Sequence, residues 1–403
     1  MDRPSPGPLT GVRVLELGNF IAAPTAGRLL ADFGADVIKV ERPGAGDELR
    51  RWRLHGGSTS LLFRTLGRNK RSITLDLKHS EGKSIALSLI ADCDVVLENF
   101  RPGTLEKLGL GPVEITHANP GAVLVRISGY GQTGPYRDRP GFGGVAKAVG
   151  GLRHVVGYPD RPPVRVGISL ADTVAGLYAV IGALMGLIQR AKSPGGEVVD
   201  VALYEAVYSL MESLIPDHDA FGVVRQPEGA GLPGISPSNT FRCADGKYVV
   251  ISGNGDTIFK RLMATIGRTD LGEDPALADN AGRVARNDEL ESAIATWAEA
   301  LDSDKVLDAL GTAAVPAGAI YDAPTIVADP HFAARNMLQT HQVDIGGTQP
   351  SAIRFPGVVP RLQNHPGSTR WLGPELGQHT EQVLLELGID RQAQDRLRQH
   401  GVI

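Results

Sequence analysis

Over the first half of the chain, short β-branched runs alternate with stretches of helix length, and this rhythm limits the fold more than any other feature. Val12–Leu17 (VRVLEL), Asp36–Glu41 (DVIKVE), Asp94–Glu98 (DVVLE), Ala122–Ile127 (AVLVRI) and Val198–Ala202 read as strands. Pro24–Phe33, Ser80–Asp92, a short segment near Leu105 and a long apolar segment from Asp172 to Ala191 read as helices. Strands that are apolar almost throughout have to be buried on both faces, and a parallel sheet with helices on each side does this. The prediction is an α/β protein with a Rossmann-like large domain.

Beyond these elements, Ile215–Asn239 is rich in Gly and Pro, loses all periodicity and reads as a linker. Strand Lys247–Ile251 and helices Thr257–Ile266 and Asp288–Leu301 then predict a smaller α+β domain ending near Tyr321. A turn-rich stretch, Gly346–Gly373, and a last helix from Thr380 complete the chain.

Composition narrows the function classes. A chain of 403 residues, 42% of them hydrophobic, can bury a large core without disulfides or metals. The 41 Lys and Arg nearly balance the 45 Asp and Glu, so neither a nucleic acid nor a membrane surface is implied as partner. Two cysteines, Cys93 and Cys243, exclude a disulfide framework and a Cys-built metal site, and the histidines show no metal spacing. Met1–Gly11 has no basic segment followed by an apolar one, so no secretory signal is read there. The uncharged run between Asp172 and Arg190 is shorter than the ~20 apolar residues a bilayer requires, and it reads as a buried helix. A cytoplasmic protein is expected.

Several residues carry candidate chemistry. Gly129-Tyr130-Gly131-Gln132-Thr133-Gly134 fits GxGxxG, but Pro135 follows where a dinucleotide site needs a helix to begin, so NAD is not expected. The same turn can still line a ligand crevice at a strand end. Asp172 stands at the entry to the long apolar helix, with Ser169 as the expected cap. There a carboxylate soothes the helix dipole; equally, the helix end keeps it ionised, as a nucleophile must be. Asn99-Phe100-Arg101 joins an amide, an aromatic face and a cation after a strand, suiting either a polar turn or a nucleotide. Arg42 and Lys78 sit near strand ends and meet phosphates or solvent. Ser252-Gly253-Asn254-Gly255-Asp256 reads as a tight turn with positive φ at its glycines, or as a mobile lid whose bare amides approach a reacting centre.

Taken together, the residues match a known pattern. Pro8–Leu17, Leu30–Glu41 leading to Gly46-Asp47 and Trp52, Asn69–Ser72, Glu98–Gly103, Gly129–Pro135, Val315–Gly318, Asp329-Pro330 and Leu376–Thr380 occur in order. Over nearly its whole length the chain resembles the class III (CaiB/BaiF-type) CoA-transferases. The resemblance implies a large Rossmann-like CoA-binding domain (1–214, with 322–403 as second linker and C-terminal return), a linker (215–239) and a small domain (240–321). It also implies an interlocked, ring-like homodimer. Its catalytic aspartate falls on Asp172, which would pass CoA from an acyl-CoA donor to a small carboxylic acid through aspartyl anhydride and aspartyl-CoA thioester intermediates.

By the same resemblance CoA contacts fall on the stretch Asn19–Ala22 (Asn19, Ile21 and Ala22 foremost, with Phe20 between them), Arg42, Leu75, Lys78, Asn99, Phe100, Lys107, Leu108 and Arg139. The acyl pocket falls on Trp52, Leu62 and Phe142, with Gly253, Asn254 and Gly255 at the place of the family's glycine lid. Where the oxalate-specific branch has Gln, Tyr and Tyr, this chain has Ile21, Leu62 and Phe142, so a buried oxalate would be poorly paired. The expected acids are a dicarboxylate of four to six carbons or an aliphatic or aromatic acid, with succinyl-CoA or acetyl-CoA as donor. Two rivals share the fold: an acyl-CoA racemase, whose histidine base is replaced here by Phe142, and a non-catalytic acyl-CoA binding protein.

Overall fold

The computed structural model describes residues 7–403; residues 1–6 of the segment read as lacking a signal lie outside them. The chain divides into two compact units. The larger takes in residues through Leu152, Val166–Glu212 and His331–Ile403; the smaller is Arg153–Arg165 with Ser213–Pro330. Residues 153–165 thus fall in the small unit and not, as expected, in the large one.

The large unit is built on six strands: β1 (Arg13–Glu16), β2 (Asp36–Glu41), β3 (Lys70–Thr74), β4 (Val95–Glu98), β5 (Val123–Ser128) and β6 (Glu197–Ala202). All neighbours pair in parallel, in the order β3-β2-β1-β4-β5-β6. This is the Rossmann order, in which the succession of strands across the sheet reverses between β1 and β4 and opens a crevice at their carboxyl ends.

Side-chain alternation divides the core into two layers. Val14, Val37, Val95, Leu97, Val123 and Val125 face one layer, with helices Ala22–Asp32 and Leu170–Lys192. Leu15, Ile38, Val96 and Leu124 face the other, with helix Ser80–Ala91 and the C-terminal residues Val383, Leu384 and Leu397. Helices on both faces leave β1, β2 and β4 buried along nearly their whole length.

The helix Leu170–Lys192 corrects the expectation of a buried helix. Ala171, Ala175, Gly176, Ala179, Ala183 and Gly186 are buried, but Leu177, Ile181, Met185 and Ile188 are exposed. A Cβ at Gly176 would come within 2.9 Å of the Ala22 carbonyl oxygen, so the small residues let this helix lie against Ala22–Asp32. It is the one helix among the described residues long and apolar enough to cross a membrane.

In the small unit, Ser238–Arg242, Tyr248–Ser252 and Ala317–Ala319 form an antiparallel sheet. Phe241, Val249, Ile251, Phe259, Leu262, Ile294, Val306 and Leu310 make its core. The residues read as a linker include a helix, Leu214–Phe221. Pro216 lies in its first turn, where no amide partner is needed, and Gly222 closes it at φ +68°. The turn-rich stretch 346–373 likewise contains a strand, Ser351–Pro356, paired with Leu338–Val343 in the large unit.

Candidate active site

The crevice between β1 and β4 is closed by one amide. Asn99 Oδ1 accepts from the Asn19 N–H at 2.8 Å, and its Nδ2 donates to the Asn19 carbonyl at 2.7 Å. The turn from β1 therefore mates with the turn from β4 as two strands would. Gly18 permits this, since a Cβ there would meet Asn99 Oδ1 at 2.7 Å. Glu98 is fully buried at the end of β4. Its Oε2 accepts from the Phe100 N–H and its Oε1 from Arg126 Nε, each at 2.7 Å. Burial nonetheless outweighs these partners and pushes its carboxyl up to about 6.

Two cavities open on either side of these turns. One, of about 270 Å³, has Asn19, Phe20, Arg42, Leu75, Lys78, Phe100 and Leu108 among its walls. The other, of about 250 Å³, has Phe20, Ala22, Asn99, Phe100, Arg139, Phe142 and Asp172. Phe20 and Phe100 belong to both. An extended ligand with a charged end and a reactive end fits this pair: cations Arg42 and Lys78 at one side, a carboxylate at the other. Arg42 is paired with Glu48, and the Arg139 guanidinium stacks 3.6 Å over the Tyr136 ring.

Asp172 sits in the first turn of its helix, half-buried. Ser169 occupies the N-cap position, but its side chain makes no cap; its carbonyl oxygen accepts from the Thr173 N–H and Oγ1, both at 3.0 Å. Burial raises the Asp172 carboxyl above the ordinary aspartate range, opposed by its own backbone N–H and by the Lys147 ammonium. Lys147, itself buried on the helix Gly143–Val149, donates to the Ile168 carbonyl at 3.0 Å and to the Val166 carbonyl at 3.3 Å. The approach to Asp172 is thereby tied to the helix that follows Phe142.

The glycine turn after β5 explains how Phe142 reaches this place. Gly131 and Gly134 take φ values of +86° and +82°, and the next helix begins only at Gly143. A Cβ at Gly129 would lie 2.9 Å from the Gly141 Cα, so the chain doubles back on the strand end and presents Phe142 there. Phe142 meets Phe20 edge to face at 5.8 Å, and Trp52 lies 5.1 Å from Phe20 on another side.

The remaining residues singled out by sequence lie elsewhere. Ile21 is buried with Leu49, Phe63 and Leu66, and Leu62 packs on the same cluster; contrary to expectation, neither is among the walls of the two cavities. Lys107 ends a short helix, exposed. Gly253, Asn254 and Gly255 belong to the small unit, where the Gly253 N–H donates to the Pro237 carbonyl and Arg283 Nη2 to the Asn254 carbonyl. Neither glycine has the expected positive φ; a Cβ at Gly253 would instead collide with the Leu262 side chain. Residues that sequence reasoning passed over are Lys147 and Gly143; Phe20 lies within the stretch Asn19–Ala22 expected to meet CoA, without a role of its own. Only Gly143 carried a signal, as part of a Gly-Phe-Gly-Gly run. Among the described residues no group of His, Cys, Asp and Glu is arranged to hold a metal ion.

Comparison with known proteins gives the family and the fold. The family model described as CoA-transferase family III matches residues 9–380. The succinyl-CoA–D-citramalate CoA-transferase of Chloroflexus aurantiacus is 47% identical over 384 residues, 95% of this chain and 94% of that one. The succinyl-CoA–L-malate CoA-transferase beta subunit of the same organism is 42% identical, over 98% of each chain. Among solved structures, a CaiB/BaiF family protein from Brucella suis superposes with a TM-score of 0.83 at 32% identity, covering 95% of this chain and 100% of that one.

Proposed function

The chain belongs to CoA-transferase family III and is a class III CoA-transferase, and on that footing we propose that Asp172 is its nucleophile and that it moves CoA from succinyl-CoA to a dicarboxylic acid of four or five carbons. The observation that carries this reading is Asp172 in one cavity with Asn99, Phe100 and Phe142, across a shared wall from Arg42 and Lys78.

In the proposed chemistry an Asp172 carboxylate oxygen attacks the thioester carbon. The C–S bond breaks with its electron pair, giving a mixed anhydride and CoA thiolate. The thiolate then attacks Asp172 Cγ; the anhydride C–O bond breaks, the donor leaves as carboxylate, and an aspartyl-CoA thioester remains. The acceptor carboxylate attacks that thioester and expels the thiolate. The thiolate in turn attacks the acceptor's acyl carbon and frees Asp172. No proton moves, so a cavity whose walls include Phe142 loses nothing by having a phenyl ring in place of a base. Partial burial of Asp172 suits the cycle: a less hydrated carboxylate is a better nucleophile, and water that would hydrolyse either intermediate is kept away.

The acid is inferred from the relatives' citramalate and malate and from this chain's own side chains. Ile21 and Leu62, which stand where the oxalate-specific branch has Gln and Tyr, are apolar side chains with no group of their own to pair an oxalate. Each relative's activity is its own; for this chain the acid is a proposal. We further propose a homodimer of the interlocked kind, supported by the exposed stripe Leu177, Ile181, Met185 and Ile188 on one helix face.

The test is a screen of acyl-CoA donors against carboxylic acids, read by the masses of the product thioesters, with Asp172→Ala alongside. Succinyl-CoA with a four- or five-carbon dicarboxylate should give the fastest transfer. Hydroxylamine should trap a hydroxamate at Asp172 in the wild type and none in the variant. Full-speed exchange by Asp172→Ala, or oxalate as the best acceptor, would refute the reading.

A further inference from the structure

Phe20, part of the wall between the two cavities, has φ +62°, a conformation that side-chain-bearing residues adopt only when their surroundings enforce it. The enforcement comes from a group of buried charges under the sheet end. The Lys39 ammonium lies 2.9 Å from Glu16 Oε1 and 2.9 Å from Asp47 Oδ2, and donates to the Gly18 carbonyl at 2.8 Å. Lys39 is 1% exposed, Glu16 and Asp47 not at all. The other oxygen of Asp47 accepts the Phe20 N–H at 3.0 Å and the Leu49 N–H at 2.9 Å. Asp47 is held in turn through its own N–H, which donates to Glu41 Oε2 at 3.0 Å, and Arg50 grips Glu41 at 2.7 Å.

We propose that Asp47 is a positioning residue for CoA binding: its carboxylate, fixed between the Lys39 ammonium and the Phe20 amide, holds the β1 turn in the left-handed bend that sets Phe20 between the two cavities. Asp47 touches no substrate and is no part of the covalent chemistry. Its two oxygens have separate duties. Oδ2 compensates a buried cation, which is a matter of stability, while Oδ1 fixes the backbone at Phe20, which is a matter of the site. A carboxylate that only stabilised the fold would not distinguish these duties.

The inference rests on the CoA reading above, and the experiment keeps the two apart. CoA itself is titrated calorimetrically into the wild type, Asp47→Ala, Asp47→Asn, Phe20→Ala and the Phe20→Ala/Asp47→Ala double variant, with thermal melts of each. Asp47→Ala and Phe20→Ala should each weaken CoA binding about tenfold, the double variant by no more than about twofold beyond the weaker single, since both remove one wall. Asp47→Asn keeps an acceptor for the Phe20 N–H but turns its amide toward Lys39. It should therefore melt lower yet bind CoA within about threefold of wild type.

Wild-type affinity in Asp47→Ala, additive losses of about a hundredfold in the double variant, or affinities that simply follow melting temperature would overturn the proposal. If Asp47→Ala does not fold, Asp47→Ser, too short to reach the Phe20 amide, takes its place with the same expectations. A wild type that binds CoA but transfers none sinks the transferase chemistry and leaves this cycle readable; one that binds no CoA overturns both.

Discussion

A Cβ on Gly143 would fall inside the contact distance of Asp172 Oδ2, so the carboxylate occupies the space that a side chain at residue 143 would fill. The backbone at Gly143 is not in the left-handed region, and the residue opens a helix. Gly143→Ala should therefore fold at least as well as wild type, alanine being favoured over glycine in helices by about 1 kcal/mol. It should nonetheless turn the Asp172 carboxylate away from its reactive position and lower kcat at least about tenfold. Thermal melts and hydroxylamine trapping measure the two effects separately; unchanged trapping would show that Asp172 has another productive rotamer.

The pH dependence of the reaction should follow Asp172. Burial raises its carboxyl, so the ionised form that the proposed chemistry needs is lost at a higher pH than an exposed aspartate would require. The value of kcat/KM for acyl-CoA should fall as pH drops through that raised pKa. The charges to consider around it are Lys147 and the arginines lining the same cavity, Arg101, Arg137 and Arg139. Lys147→Met removes a cation that favours the carboxylate, so the acid limb should move to higher pH while the alkaline side stays put. A pH–rate profile that does not shift would deny Lys147 this influence.

Glu98 offers a pH effect on stability instead of rate. Its carboxyl is raised from 4.5 to about 6 by burial. Across that window the folded chain holds a proton that the unfolded chain has released, so this group's contribution falls as pH rises and is level on either side. Relative to Glu98→Gln, the wild type should lose up to about 2 kcal/mol between the two limits. Urea denaturation of both proteins through the window measures this. A difference that grows with pH would mean that Arg126 and the Phe100 N–H outweigh desolvation.

Gly27 lies where helix Ala22–Asp32 crosses the buried Glu16–Lys70 pair, 2.6 Å apart. A Cβ there would press on Glu16 Oε2 and come within 3.3 Å of Lys70 Nζ. Gly27→Ala should thus destabilise the fold by about 1–3 kcal/mol despite alanine's better helix propensity. A denaturation midpoint at or above that of wild type would show that the ion pair can move aside.

Most of the sheet was legible because the apolar runs of β1, β2, β4 and β5 report their own burial, whereas the edge strand β6 is largely exposed in spite of its valines. β3 was not legible. Lys70, Arg71 and Ser72 are its first three residues, and their partners Glu16, Asp36 and Glu41 come from other strands. A local reading sees polar residues and cannot see that their charges are matched across the sheet. The helix in the predicted linker was obscured by Pro216, which breaks a helix in its middle and is harmless in its first turn. Of the residues that line the Asp172 cavity, Asn99 and Phe100 lie in a block that carries the family resemblance, and the resemblance singled out Asp172 itself as the proposed nucleophile. Gly143 could not be found in this way, because its importance lies in an absent side chain, and the left-handed backbone of Phe20 was equally hidden although the stretch Asn19–Ala22 was expected to meet CoA.

By itself, then, the order of residues determined the α/β layers, the parallel sheet and the type of chemistry, since hydrophobic periodicity and short motifs act over a few neighbours along the chain. Only the tertiary structure decided how Asp172 is desolvated, which side chains wall its cavity and how the β1 turn is clamped. Those properties depend on groups such as Asp47, Lys39, Asn99 and Lys147 meeting through space, and electrostatic and packing forces respond to distance in space, however far apart the residues lie in the chain.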